Sequence, residues 1–271
     1  MDKIMIHPSS LTDPSVDVIV DDFVAPACNE PLVILYQDDD ILLINKPSGL
    51  LSLSGKNPLN WDSVHYRLVH GRLVHGQKGV TPAFPEAKLP HRLDFGTSGV
   101  MVVGLNAESS KHLNRQFQAR TVKKRYVAML DGWVTDDEGQ ITAAIAKDKA
   151  NFPKVRICED SASDSTLTTG KAAISNYVVL QRLEGPRRSL VQFSPVTGRT
   201  HQLRIHSQLL GHPILGCDLY KNDRSEQMAD RLMLHASDLF FVHPRFVNSG
   251  SDEPFHGQAV AALRTDFSAF V

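Results

Sequence analysis

A succession of strand-length apolar runs, several arriving as neighbours and few separated by a helix, limits what this chain can fold into. "LVILY" (32–36) and "ILLIN" (41–45) flank "QDDD" and read as a hairpin, closed by the Pro-Ser-Gly turn of "KPSG" (46–49). "GVMVVGLN" (99–106) is apolar enough for a buried strand, and "KKRYVAMLDGWV" (123–134) returns as another. "KAAISNYVVLQRL" (171–183) and "RSLVQFSPV" (188–196) form a pair joined by "EGPR", and "RLMLHASDLFFVHP" (231–244) adds a strand or two. Helical signals are fewer. "AESSKHLNRQFQAR" (107–120) places Leu113 and Phe117 four apart, and "THQLRIHSQLLG" (200–211) has Thr200 in capping position and Gly211 at its far end. Residues 55–90 read as a helix followed by a long surface loop, and residues 135–170 are acidic, rich in Ser and Thr, and weakly patterned. Strict strand–helix–strand alternation is missing, so we expect an α+β fold with a mostly antiparallel sheet. Residues 1–30 read as an acidic extension and 31–271 as one folded domain.

Charge is unevenly spread. The formal net charge is −1, yet residues 1–40 hold nine Asp or Glu against Lys3 alone, leaving +7 on the remainder. Two stretches carry base and no acid: 111–125 with six Lys or Arg, and 185–206 with four Arg and two His. Such runs suit either a solvated surface or a track for a phosphate backbone, and charge alone does not choose. No stretch approaches the roughly 18 apolar residues of a membrane span, and the N-terminus lacks a signal-peptide pattern. Cys28, Cys158 and Cys217 are far apart with no CxxC, so a cytosolic setting is expected. His65, His70 and His75 recur every five residues and would not share a helix face. There is no HExxH, no GxGxxG after a strand and no P-loop, so neither metal nor nucleotide cofactor is expected.

The chemistry-bearing candidates are three. Asp94, in "PHRLDFGTSGV" (90–100), stands alone before a buried strand. Locally it suits a turn cap on the amides of Thr97 or Ser98, the commoner outcome; a loop tip is also where catalytic groups sit. "TGRTHQLRIH" (197–206) packs Arg199, His201, Gln202, Arg204 and His206 into ten residues. A partly buried Arg204 needs an acidic partner, and Asp94 is one candidate. Tyr126 follows three basic residues, and is either one more strand aromatic or a stacking surface for a nucleobase.

Together "HRLDFGTSGVMVVGLN", "KKRYVAMLDGWV" and "PVTGRTHQLRIHSQLLGHPILG" resemble, in order and spacing, the signature motifs of the RluA-type RNA pseudouridine synthases, over roughly residues 31–247. The resemblance implies that family's fold, with a central cleft, and its reaction. A uridine within RNA has its N1–C1′ bond broken, the base turns, and C5 bonds to C1′, with no cofactor or metal. It assigns Asp94 as the essential aspartate, Tyr126 as the tyrosine packing on the target base, and Arg204 as the aspartate's partner. Arg92 is associated with holding RNA open around the flipped nucleotide. His91, Thr97, Lys123, Lys124, Arg199, His201 and Gln202 follow as candidates for substrate binding. The expected partner is RNA, ribosomal, transfer or both, met by a monomer; a catalytically silent RNA-binding protein of the same fold is the alternative. Three departures stand out. Many relatives carry an S4-like domain, whereas about 30 acidic residues precede this segment, so RNA recognition is expected from the catalytic domain itself. Cys217 occupies a place where the family usually has Asp, with Asp218 one place later, a change expected to touch local packing rather than chemistry. The 69–88 loop is longer than expected, and with the acidic segment 135–170 it bears on substrate choice.

Overall fold

The structure, a computed structural model, describes residues 23–72, 74–75, 84–158, 170–245 and 256–260. The elements are β1 (Leu32–Gln37), β2 (Ile41–Lys46), α1 (Val64–His70), β3 (Val74–His75), β4 (Ser98–Gly104), α2 (Ala107–Ala119), β5 (Lys123–Asp131), β6 (Glu138–Lys147), β7 (Val155–Cys158), β8 (Lys171–Leu183), β9 (Arg188–Pro195), α3 (Gln202–Leu209), β10 (Leu234–Val242) and β11 (His256–Val260), with a short 3-10 turn at Ser225–Met228. The strands form one sheet in the order β3-β1-β2-β4-β10-β5-β9-β8-β6-β7, with β11 also on β10. Only β1–β3 and β4–β10 pair in parallel among the described residues. The α+β expectation therefore holds. The segment read as patternless contains β6 and β7; residues 159–169 of it lie outside the described residues, as do residues 1–22 of the acidic extension and residues 73 and 76–83 of the 69–88 loop.

Local chemistry explains the boundaries. In the β1–β2 turn, Asp38 Oδ1 accepts from the amides of Asp40 and Ile41, both at 2.8 Å. Helix α1 begins at Ser63, whose Oγ accepts from the Tyr66 amide at 3.1 Å, and α2 begins at Asn106, whose Oδ1 accepts from the Ser109 amide at 2.8 Å. Thr200 does not cap α3. His201 holds that place in left-handed backbone (φ 53) with no side-chain cap bond, because the Thr200 hydroxyl faces Arg92 instead.

Two apolar cores flank the centre of the sheet. One gathers β5, β8, β9 and α3 residues such as Met129, Val191, Phe193 and Leu203. The other gathers β2, β4 and α2 residues such as Ile44, Met101, Val102 and Leu113. Each fully buried Leu, Ile or Met contributes about 1.5–3 kcal/mol. Tyr126 packs against both, so it stands at the seam between them.

That seam rests on one close approach. Gly99 pairs with Ala236 where β4 meets β10. Its φ is +120, and a Cβ there would lie 2.2 Å from the Ala236 carbonyl oxygen, so only glycine allows the pairing. We expect Gly99→Ala to cost about 3 kcal/mol or more, lowering Tm by roughly 6 °C or more. Calorimetry showing an unchanged Tm would refute this account of the seam.

Candidate active site

A cleft of about 390 Å³ opens where the two cores meet, within the size range of sites for single small ligands. Its walls are the 90–94 loop, the end of α2, the first half of β5 and the 195–204 segment.

Asp94 is half-buried in this wall, and its loop is held from behind. Lys46, at the end of β2, is fully buried. Its Nζ donates to the carbonyls of Pro47 (2.9 Å), Leu50 (2.7 Å) and Phe95 (3.2 Å). Ser48 Oγ donates to the Gly96 carbonyl at 2.7 Å. Ser52 Oγ donates to the Leu93 carbonyl at 2.7 Å and accepts from its amide at 3.1 Å. Burial pulls the Lys46 pKa down to about 7, against the opposing field of Asp94. Three carbonyl acceptors match the three protons of the ammonium, so this geometry suits the charged form. The turn-cap reading of Asp94 fails: it is the main-chain carbonyl of Asp94 that takes the Thr97 amide, at 3.1 Å. Among the described residues no hydrogen bond or ion pair reaches the Asp94 carboxylate. It is a free carboxylate on a rigid loop.

Arg204 lines the same cleft, 5% exposed, but it does not close an ion pair with Asp94. Its Nη2 donates to Asp218 Oδ1 and lies 3.3 Å from the Cys217 sulfur. Burial opposes its charge, but Cys217 and Asp218 outweigh that and hold its pKa above the ordinary value, with a smaller contribution from Asp94. Its Nε is buried without a hydrogen-bond partner among the described residues. The Cys217–Asp218 departure thus anchors the cleft-lining Arg204 rather than altering packing alone.

The alternation of β5 sorts the basic run. Tyr126 and Lys124 face the cleft, whereas Lys123 is exposed and lies outside its lining. Arg125, on that outer face, puts its guanidinium 5.0 Å over Phe240. Burial, then Asp94, pushes the Tyr126 hydroxyl well above its ordinary pKa; burial, then Arg120, lowers that of Lys124.

Other expected binding residues are engaged, in part or in whole, with the protein itself. Thr97 is buried behind the loop, outside the cleft lining. His91 borders the cleft, but its Nε2 accepts from the Val102 amide at 3.1 Å and its ring stacks on Phe117 at 4.6 Å. Burial, then Lys124, takes its pKa down to about 3, so it is neutral. Gln202 spends its whole amide: Oε1 accepts from Thr197 Oγ1 (2.7 Å) and the Arg199 amide (3.0 Å), while Nε2 donates to the Ile174 carbonyl and Ser175 Oγ, both at 2.9 Å. Arg92, exposed at the mouth, donates to Thr200 Oγ1 at 3.4 Å. Arg199 Nε donates to the Ala172 carbonyl at 3.1 Å. His201 Nδ1 is 3.0 Å from the Tyr220 hydroxyl.

Five cations, Arg92, Arg120, Lys124, Arg199 and Arg204, line the cleft against the single carboxylate of Asp94. Part of each basic stretch goes elsewhere; Arg187, for example, covers Trp133 at 4.4 Å. Sequence reasoning missed Lys46, Ser48 and Ser52 behind the loop and Asp218 as the partner of Arg204, and it held Arg120 only as part of a basic run. A lysine closing an apolar strand run was the one available signal, and it was read only as the start of a turn.

Buried neutral histidines make stability depend on acid. His206, on α3 and fully buried, has Nδ1 3.0 Å from Ser175 Oγ, and burial lowers its pKa to about 4. Folded values below the unfolded value of about 6.5 mean that unfolding takes up protons in between. Stability is therefore complete above pH 6.5 and falls as pH drops toward 4. Urea midpoints from pH 7 to pH 4 should decline, and less steeply in His206→Asn; an equal slope in that variant counts against the buried neutral ring.

The family model for RNA pseudouridylate synthase matches residues 40–209. The dual-specificity RNA pseudouridine synthase RluA of Yersinia pestis is 42% identical over 215 residues, covering 79% of this chain and 94% of that protein. Its counterpart in Escherichia coli K12 is 41% identical over 218 residues, 80% of this chain and 90% of that protein. Among solved structures, Human RNA Pseudouridylate Synthase Domain Containing 1 is 28% identical with TM-score 0.65, covering 90% of this chain and 89% of its own. Human RNA Pseudouridylate Synthase Domain Containing 4, 24% identical with TM-score 0.62 and covering 87% and 90%, shares the fold.

Proposed function

The chain belongs to the RNA pseudouridylate synthase family, and from that premise we propose that it isomerises uridine in ribosomal and transfer RNA with Asp94 as the single acting carboxylate. The observation that carries this is the Asp94 carboxylate itself, unpaired among the described residues, facing a cleft whose other charges are all positive. A carboxylate that capped the turn or sat in a closed ion pair would be spent.

The rearrangement breaks N1–C1′ and forms C5–C1′, while C5 gives up its proton and N1 takes one. It is redox-neutral and consumes no water, so it needs neither a cofactor nor the second carboxylate that glycosidases use. An ionised Asp94 acts at the sugar, as nucleophile on C1′ or as base on a sugar proton; both routes need it charged and unshielded. The target base leaves its stack at a cost of about a few kcal/mol, and Tyr126 returns about 1–3 kcal/mol by stacking. The exposed Arg92 and Arg120, with the half-buried Lys124 and Arg199, contact the phosphates on either side.

The choice of RNA rests on relatives named as dual-specificity at about 40% identity. Pseudouridine mapping of total RNA from cells with and without the gene should lose sites in both RNA classes; loss in one class alone refutes the dual reading. Purified Asp94→Asn should form no pseudouridine while retaining RNA affinity, and residual turnover above background would remove Asp94 from the chemistry. RNA affinity should fall with salt on a log–log slope of about −3, as the four phosphate-facing cations release counterions from a single strand; a flat response would argue against the cleft as the phosphate track. Arg204→Lys should lose most turnover, because a point charge cannot hold Asp218 and also present a planar fork to the cleft.

A further inference from the structure

Tyr220 has no part in the reaction as described, yet it touches the cleft-lining Arg204 and, beside that lining, His201. It is 2% exposed and lies between α3 and β10. Its hydroxyl accepts from the Val155 amide at 2.7 Å and stands 3.0 Å from His201 Nδ1. Its ring lies 5.4 Å from the Arg204 guanidinium carbon. Its own amide points at the Cys217 sulfur at 3.4 Å, the same sulfur that Arg204 meets at 3.3 Å.

Counting protons fixes the direction of this chain. An amide only donates, so the Tyr220 oxygen is the acceptor from Val155. The hydroxyl has one proton, and His201 Nδ1 is its acceptor among the described residues. Were Nδ1 to donate instead, the Tyr220 proton would be buried unpaired, at a cost of about 1–3 kcal/mol. Nδ1 therefore accepts, and a neutral His201 carries its proton on Nε2. The ring stays neutral near pH 7. Burial lowers its pKa first; of the charges facing it, Asp94 and Asp218 oppose this while Arg204 and Arg92 add to it. The Tyr220 hydroxyl, pushed up to about 12 chiefly by burial, keeps its proton.

We propose that Tyr220 is a positioning residue of this active site. Its hydroxyl sets His201 as a neutral Nε2–H donor beside Asp94, while its ring seats the Arg204 guanidinium. His201 is flanked by the cleft-lining Thr200 and Gln202 but is not itself part of that lining; under this assignment its Nε2–H reaches an acceptor oxygen of the nucleotide when RNA is bound. This last step rests on the cleft being the uridine site; the tautomer does not.

The test separates the two. Nitrogen-15 NMR of histidine-labelled wild-type protein should show His201 protonated at Nε2, and a resonance with the proton on Nδ1 overturns the proposal whether or not any variant folds. Tyr220→Phe keeps the ring and its contact with Arg204 but removes the hydroxyl. The His201 signal should then shift to a mixture of tautomers, with kcat falling roughly tenfold and KM little changed. In a His201→Ala background, Tyr220→Phe should add no further loss, whereas an equal loss in both backgrounds would reduce Tyr220 to a packing residue and overturn the proposal. His201→Gln, which still offers a neutral N–H, should retain more turnover than His201→Ala. A tautomer that shifts as expected while RNA turnover is unaffected in every variant would uphold the Tyr220–His201 chain and overturn its link to the uridine site.

Discussion

The buried ammonium of Lys46 is the contact on which the catalytic loop depends. Three carbonyls from two separate turns converge on it, one of them from Phe95, the residue after Asp94. A main-chain carbonyl left unpaired in the interior costs about 1–3 kcal/mol, so losing this cation would release several at once. Ser48 and Ser52 add to the clamp on either side. With its backbone satisfied from behind, the loop leaves the Asp94 side chain free to face forward. The same design recurs across the cleft, where Gln202 uses its whole amide to pin the segment that carries Arg199.

How much of this was legible in sequence depended on the kind of interaction. β2, β4, β5, β8, β9 and β10 announced themselves as apolar runs, because each buries much of at least one face, and β1 did so by composition although only its Leu32 is buried. β6 and β7 did not. Their residues are mostly half-exposed, so their pairing rests on main-chain bonds that composition does not register. Asp94, Tyr126 and Arg204 came from motifs. The partner of Arg204 did not, since whether Asp94 or Asp218 meets it is decided by the path of the 210–230 chain and not by spacing. Lys123 was an avoidable error: once Tyr126 faces the cleft, alternation sends Lys123 to the other side. Tyr220 was illegible, being one aromatic in a loop, and its meaning lies in a two-sided hydroxyl that only coordinates reveal.

The basic stretches teach a related lesson. Charge left open whether they were a solvated surface or a phosphate track, and part of their Arg and Lys covers aromatic rings or bonds to main chain. What reaches the cleft is a subset chosen by strand alternation and by the end of α2, where Arg120 adopts left-handed backbone. Three of the nine N-terminal acids, Asp38 to Asp40, likewise have a mechanical use. They hold the β1–β2 turn to Asn106, Ser109 and Arg245.

Chain order and sheet order disagree at one place. β10, among the last strands made, sits between β4 and β5 and is the one described strand joining the two halves of the sheet. Ser98 and Gly99 must wait for His235 and Ala236. A nascent chain still lacking β10 holds Asp94 on one half-sheet and Tyr126 on another, with no seam to bring them together. Closing the sheet is therefore a long-range step: the wall that carries Asp94 and the wall that carries Tyr126 come into register only through a strand distant from both in the chain.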